Sequence, residues 1–166
     1  VSVESIVIAT DLNKTFQAEQ KGLDDVRALQ GINMQIKAGQ LTALVGPDGA
    51  GKTTFLRLIA GLYEPTTGSL KVLGMDVAKD PQSVQDRISY MPQKFGLYED
   101  LSIQENLDLY ADLHGVPMDV RKERFARLLK ITDLARFTER PAGKLSGGMK
   151  QKLGLACTLV LSLIHI

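Results

Sequence analysis

Leu41-Thr42-Ala43-Leu44-Val45-Gly46-Pro47-Asp48-Gly49-Ala50-Gly51-Lys52-Thr53-Thr54 is the stretch on which the fold turns. Residues 46–53 read Gly-x-x-x-x-Gly-Lys-Thr, the pattern of a phosphate-binding loop between a strand and a helix. The continuous apolar run Leu41 to Val45 predicts a strand buried on both faces, as in a parallel sheet. Phe55, Leu56, Leu58 and Ile59 predict an amphipathic helix that stops at Gly61, a residue suited to the position just past a helix end. The residue types match the chemistry. Gly46, Pro47, Asp48, Gly49, Ala50 and Gly51 supply a backbone able to curl so that several N–H groups converge on one phosphate. The helix start adds partial positive charge there. Lys52 brings a mobile full charge to the β and γ phosphates, the Thr53 hydroxyl is a hard ligand for Mg²⁺, and Thr54 shares the first turn. The stretch is a nucleoside-triphosphate site. Asp48 is the odd member, because a carboxylate beside a polyphosphate costs affinity unless it caps backbone N–H groups or pairs with a cation. Its side chain is therefore expected to turn into the loop.

Around this loop lie 166 residues, 44% hydrophobic and 23% charged, which excludes a disordered or fibrous chain and is enough for a packed core. A formal charge of +1 gives no general reason to expect nucleic acid or an anionic membrane surface as partner. The single Cys157 excludes an intramolecular disulfide and a Cys-rich zinc site, and fits a reducing compartment. His114 and His165 have no partner at metal-ligand spacing. The N-terminus lacks the pattern of a signal peptide, and the longest uncharged stretch, Leu153 to Ile166, is too short for a membrane span. An intracellular, soluble chain is expected.

Ile6 to Phe16 reads as a strand and Gln17 to Asp25 as a loop. Ile32, Met34 and Ile36 alternate with polar residues as in a half-buried strand, and Ser69 to Leu73 and Ile88 to Met91 are two further strand candidates. The second half is helical in pattern. Ser102-Ile103-Gln104-Glu105 is a capping box, followed by Ile103, Leu107, Tyr110 and Leu113 at helical spacing. Asp119 is expected to cap a second helix whose Phe125, Leu128, Leu129 and Thr132 share a face, with Arg121-Lys122-Glu123-Arg124 solvated and Cys157 an inert core thiol. Pro141 and Gly143 interrupt the chain, and a last helix is expected after Ser146. Strands followed by helices make a mixed α/β chain.

Two more segments narrow the reading. Leu145-Ser146-Gly147-Gly148-Met149-Lys150-Gln151 resembles the signature motif of ATP-binding cassette (ABC) proteins, and Tyr90-Met91-Pro92-Gln93 resembles the strand that delivers their Q-loop glutamine. The order and spacing of Lys52, Gln93 and Ser146 are also that family's. The chain is thus similar to the nucleotide-binding subunit of an ABC transporter, and residues 90–100 look closest to the YbhF-like ATP-binding subunits of ABC-2-type multidrug exporters. That resemblance implies an α/β P-loop NTPase fold of ABC type: an N-terminal β subdomain and phosphate-loop core (1–95), then a helical subdomain with the signature (96–160). It implies ATP and Mg²⁺ as ligands, with Thr53 and Gln93 on the metal. Gln93 would contact that metal or the attacking water and link the site to an integral membrane permease, and Phe16 would stack on adenine. The cluster Phe95, Leu97 and Tyr98 would pack on the permease or fill the helical core. Ser146, Gly147 and Gly148 form a second anion-binding helix start, which the family places against the ATP of a partner cassette in a head-to-tail dimer. The location implied is the cytoplasmic face of the cell membrane, with no nucleic-acid partner.

The family's catalysis also needs an Asp-Glu strand after the signature helix and a later histidine. No Asp or Glu follows Ser146, and His165 stands too near the signature. The 166 residues are therefore expected to bind nucleotide without turning it over, as a fold lacking its C-terminal core strands, with the edge of the Leu41 to Val45 strand an aggregation liability. Leu161-Ser162-Leu163-Ile164-His165-Ile166 is what CTG-TCT-CTT-ATA-CAC-ATC encodes, which resembles a transposon-end adaptor, so residues 161–166 are expected to be a non-native tail. Two alternatives stand beside the exporter: a soluble ABC protein acting on ribosomes or nucleic acid, and a fragment with no function.

Overall fold

Two twelve-residue strands pair early in the chain. In the computed structural model, which describes residues 5–18, 24–93 and 96–162, β1 (Ser5–Phe16) pairs antiparallel with β2 (Val26–Lys37) on one side and β3 (Thr67–Val72) on the other. A short β4 (Met75–Asp76) completes a four-stranded sheet of order β2-β1-β3-β4, every pair antiparallel. Val7 and Ala9 cannot share a face with Leu12 in an unbroken strand, because side chains alternate with period 2. Ala9 and Leu12 are nevertheless both buried, because the register shifts between them at Asp11, whose φ of 43° marks a bulge. Gly68 lies opposite that bulge with φ 84°, and a Cβ there would collide with the Asp11 carbonyl oxygen. β2 changes phase in the same way at Gly31 (φ 58°), which turns both Leu29 and the alternating set Ile32, Met34 and Ile36 toward one core.

α1 (Lys52–Ile59) lays Phe55 and Leu58 on this core beside Leu70, Val72 and Val77, and ends at Gly61 in the left-handed conformation expected for it. α2 (Pro81–Gln85) is started by Asp80, which accepts from Ser83 N. These elements belong to the first of two compact units, residues 1–88.

Two strand expectations are overturned. Leu41 to Val45 is irregular and exposed, with Leu41 fully exposed and Val45 at 90%, and Ile88 to Met91 forms no strand either. A strand exists through its ladder, and neither run finds a pairing partner among the described residues. The sheet next to the phosphate loop is accordingly antiparallel, with no doubly buried parallel strand among the described residues.

The second unit, residues 89–166, is helical. α3 (Ile103–Leu113), α4 (Met118–Thr132) and α5 (Gly147–Ser162) pack around Ile103, Leu107, Phe125, Leu128, Leu153 and Cys157. The capping box is complete: Ser102 N donates to Glu105 Oε2 (2.7 Å) and Glu105 N to Ser102 Oγ (3.2 Å). The Ser102 N–H, and then its hydroxyl, hold the Glu105 carboxyl below the usual carboxylate range. A lowered carboxyl pKa stabilises the fold at neutral pH, and that contribution fades as pH falls through the folded-state value. The expected cap at Asp119 is not made. α4 begins two residues earlier than that cap would place it, with Pro117 at the N-cap and no side-chain cap bond, and Asp119 sits inside the first turn. Arg121 is not on a solvated face but buried, donating from Nε and Nη2 to Val116 O (2.9 and 2.8 Å) and pairing with Asp112 (2.7 Å). Burial pushes the Cys157 thiol up to about 12, as suits an inert core residue.

Asn106 carries no motif in its sequence, yet it organises this unit. Fully buried, it accepts from Tyr98 N (3.0 Å) and donates to the carbonyls of Tyr98, Leu101 and Ser102. Asn106→Ala leaves the Tyr98 N–H without its acceptor and removes three further bonds, although the Tyr98, Leu101 and Ser102 carbonyls keep backbone donors, so a loss of about 1–3 kcal/mol is expected in urea denaturation of the chain. No helix among the described residues is long and apolar enough to cross a membrane.

Candidate functional site

Gly51 is the pivot of the phosphate loop. Its φ is 83°, and a Cβ there would collide with the Ala28 carbonyl oxygen and lie 2.7 Å from a Leu29 methyl carbon, so only glycine fits on both counts. Gly49 also has positive φ (80°), but open space around it. As the N-cap of α1, Gly51 offers no side chain to cap the helix. The first α-helical bond runs from Phe55 N to Gly51 O (2.9 Å), so the N–H groups of Lys52, Thr53 and Thr54 precede the ladder and stay available to a ligand. Lys52 Nζ donates to the carbonyls of Gly46 (2.7 Å) and Pro47 (2.6 Å), bracing the loop and holding an ammonium group beside those free donors. Ala50 N closes the turn onto Pro47 O (3.3 Å). Uncapped helix start, braced glycine loop and fixed cation together form an anion cradle.

Thr53 is exposed, and its hydroxyl makes no hydrogen bond among the described residues. It suits one hard-oxygen position on Mg²⁺. The described residues hold no cluster of three His, Cys, Asp or Glu side chains that could hold such an ion by themselves. Asp48 does not turn into the loop to make a cap: it is exposed, and its carboxylate has neither hydrogen bond nor ion pair among the described residues. Asp48→Asn is therefore expected to tighten ATP binding by about fivefold at low salt, read by titration calorimetry, with the gain shrinking as salt screens the charge. Below the loop, Leu44, Val45, Met34 and Phe55 line a hollow of about 100 Å³.

The second unit carries the other motif. Ser146 caps α5 as expected, its Oγ accepting from Met149 N (3.3 Å) and its carbonyl from Lys150 N (2.9 Å). A Cβ at Gly147 or Gly148 would meet nothing within 4 Å. Two glycines in a first helical turn cost stability, and nothing among the described residues requires them. Their bare backbone instead suits close approach by something outside the chain. Gln93 lies in the same unit and lines, with Gly147 and Lys150, a cleft of about 270 Å³. Lys150 crosses to Glu99 (2.6 Å), an ion pair that no local pattern announces because its partners are 51 residues apart. Of the aromatic cluster near Gln93, Leu97 packs on the helical core and Tyr98 is exposed, while Phe95 lies outside the described residues, as do residues 163–166 of the expected tail.

Phe16 sits at the end of β1, half-buried and outside the set of buried core residues. Its ring meets that of Tyr63 at 5.4 Å and 75°. Lys14 Nζ lies 5.1 Å from the Phe16 ring centroid.

Known proteins point the same way. The family described as ABC transporter matches residues 29–163. The probable multidrug ABC transporter ATP-binding protein YbhF of Escherichia coli (strain K12) is 53% identical over 157 residues, 95% of this chain and 26% of that protein. The Fe(3+) ions import ATP-binding protein FbpC of Mannheimia succiniciproducens is 36% identical over 159 residues, 95% of this chain and 43% of that protein. A solved dimeric structure of a post-hydrolysis state of the ATP-binding cassette MJ0796, bound to ADP and Pi, matches with TM-score 0.80 at 27% identity, over 94% of this chain and 70% of that one. The chain thus spans about a quarter of the length of YbhF.

Proposed function

The chain belongs to the ABC transporter family, and from that premise we propose that it is the ATP- and Mg²⁺-binding part of an exporter's ATPase subunit, working through a separate membrane permease. The observation that carries the nucleotide reading is the uncapped start of α1 beneath the Lys52 ammonium, an anion cradle built entirely within the first unit. Export rather than import is favoured by the 53% identity to YbhF, a probable multidrug transporter subunit, against 36% to the iron importer FbpC. In this reading Thr53 holds Mg²⁺, Gln93 touches the metal or the attacking water, and Phe16 stacks on adenine. Ser146, Gly147 and Gly148 complete the site of a second cassette arranged head to tail. Full-length members of the family hydrolyse ATP; in this reading the 166 residues by themselves supply nucleotide binding, and turnover is a property of the full-length protein.

Titration of the 166-residue chain with ATP tests the proposal. Binding that strengthens with Mg²⁺, is displaced by inorganic tripolyphosphate and releases no phosphate over hours is the expected result. Failure of tripolyphosphate to displace ATP would remove the phosphate-loop reading.

A further inference from the structure

We propose that Tyr63, anchored by Arg57 of the phosphate-loop helix, is a positioning residue that holds Phe16 ready for the purine ring of the nucleotide. The proposal rests on the base-stacking reading of Phe16 and adds to it the means by which that ring is set.

Phe16 stands at a strand end opposite Val26, itself largely exposed, so β2 gives its ring little lateral support. Support comes from the loop that follows α1. Tyr63 packs edge-on to Phe16, and its phenol oxygen accepts from Arg57 Nη1 (2.9 Å), in the last turn of α1. Lys14 closes the arrangement from β1: its Nζ donates to Glu64 O (2.9 Å) while lying 5.1 Å from the Phe16 ring and 5.7 Å from that of Tyr63. Two more bonds lace the strand end to this loop, Thr15 N to Thr66 Oγ1 and Thr66 N to Asn13 O, each 2.9 Å.

The route from Lys52 to Phe16 therefore runs through one helix and two side chains, Arg57 and Tyr63, all in one unit. A stacking ring left loose must be ordered when the base arrives, and that ordering costs affinity; a ring already held does not bear the cost. The same tie fixes the separation between the triphosphate grip and the base. Neither Arg57 nor Tyr63 needs to touch the nucleotide.

The test compares ATP with inorganic tripolyphosphate, which has the phosphates and no base, on the 166-residue chain. Phe16→Ala and Tyr63→Leu are both expected to weaken ATP binding by about fivefold and to leave tripolyphosphate binding within about twofold of the parent. Tyr63→Phe, which keeps the ring and loses the Arg57 bond, falls between parent and Tyr63→Leu. If Tyr63→Leu binds ATP like the parent while Phe16→Ala does not, the positioning role is overturned and the stacking reading survives. If Tyr63→Leu weakens ATP and tripolyphosphate alike, its role is structural and the proposal falls. An unchanged Phe16→Ala removes the stacking reading and the positioning role together. Should Tyr63→Leu fail to fold, Tyr63→Phe decides: an ATP-only loss supports the proposal, and parental affinity for both ligands overturns it.

Discussion

Lys52→Met is expected to weaken ATP binding by about 100-fold while leaving the thermal unfolding midpoint nearly unchanged. The side chain does two jobs. Its ammonium braces the loop through the Gly46 and Pro47 carbonyls, and it is the cation placed beside the free N–H groups at the start of α1. Methionine keeps most of the stem and removes the charge together with its two hydrogen bonds to the loop carbonyls. Charge-assisted hydrogen bonds contribute about 1.5–3 kcal/mol each, so removing two such bonds to phosphate at once is enough for the stated factor. The loop itself keeps its shape, because Gly49 and Gly51 retain their positive φ and Phe55 N still closes on Gly51 O. Calorimetric titration with ATP, beside a thermal melt, checks both halves of the expectation. An affinity within about threefold of the parent would mean that the cradle binds anions through backbone alone, and the reading of Lys52 would be wrong.

What the sequence disclosed was local. The helix start after Gly51, the Ser102–Glu105 box, the Gly61 terminator and the Ser146 cap each depend on residues within one or two turns, and each is found as expected. Leu41 to Val45 and Ile88 to Met91 mislead because a strand's identity lies in its neighbours, which a linear pattern does not contain. Arg121 misleads for a related reason: the carbonyl and carboxylate that let it bury come from the α3–α4 turn and the end of α3, not from its own charge run. Around the candidate site, the two helix starts were legible as local structure and their supports were not. Glu99–Lys150 and the Phe16–Tyr63 contact join residues 51 and 47 positions apart, and Asn106 differs from a surface asparagine only in what surrounds it.

The largest effect belongs to a mixing experiment on full-length proteins carrying this cassette. Gly148→Asp is expected to abolish ATP-driven pairing of cassettes while leaving each chain's own ATP binding intact. A Cβ at 148 would meet nothing within 4 Å among the described residues, so the fold is expected to tolerate the change. What the change alters is the outward surface: it puts a carboxylate where, in the proposed head-to-tail pair, the partner's phosphate would approach. Lys52→Met disables pairing by the other route, since no nucleotide is held to be bridged. Each variant alone is then inactive. In a head-to-tail pair, every site joins one chain's Lys52 to the other chain's Gly148, so the two defects meet in one site and leave the second site wholly intact. Random mixing makes about half of all pairs mixed, each with one good site of two, so about a quarter of the parental sites return. ATPase activity measured on the mixture should recover toward that fraction from two nearly silent stocks. Sites built from a single chain allow no such recovery, because each chain in the mixture keeps its own defect, and a mixture as silent as its components would rule out the head-to-tail arrangement.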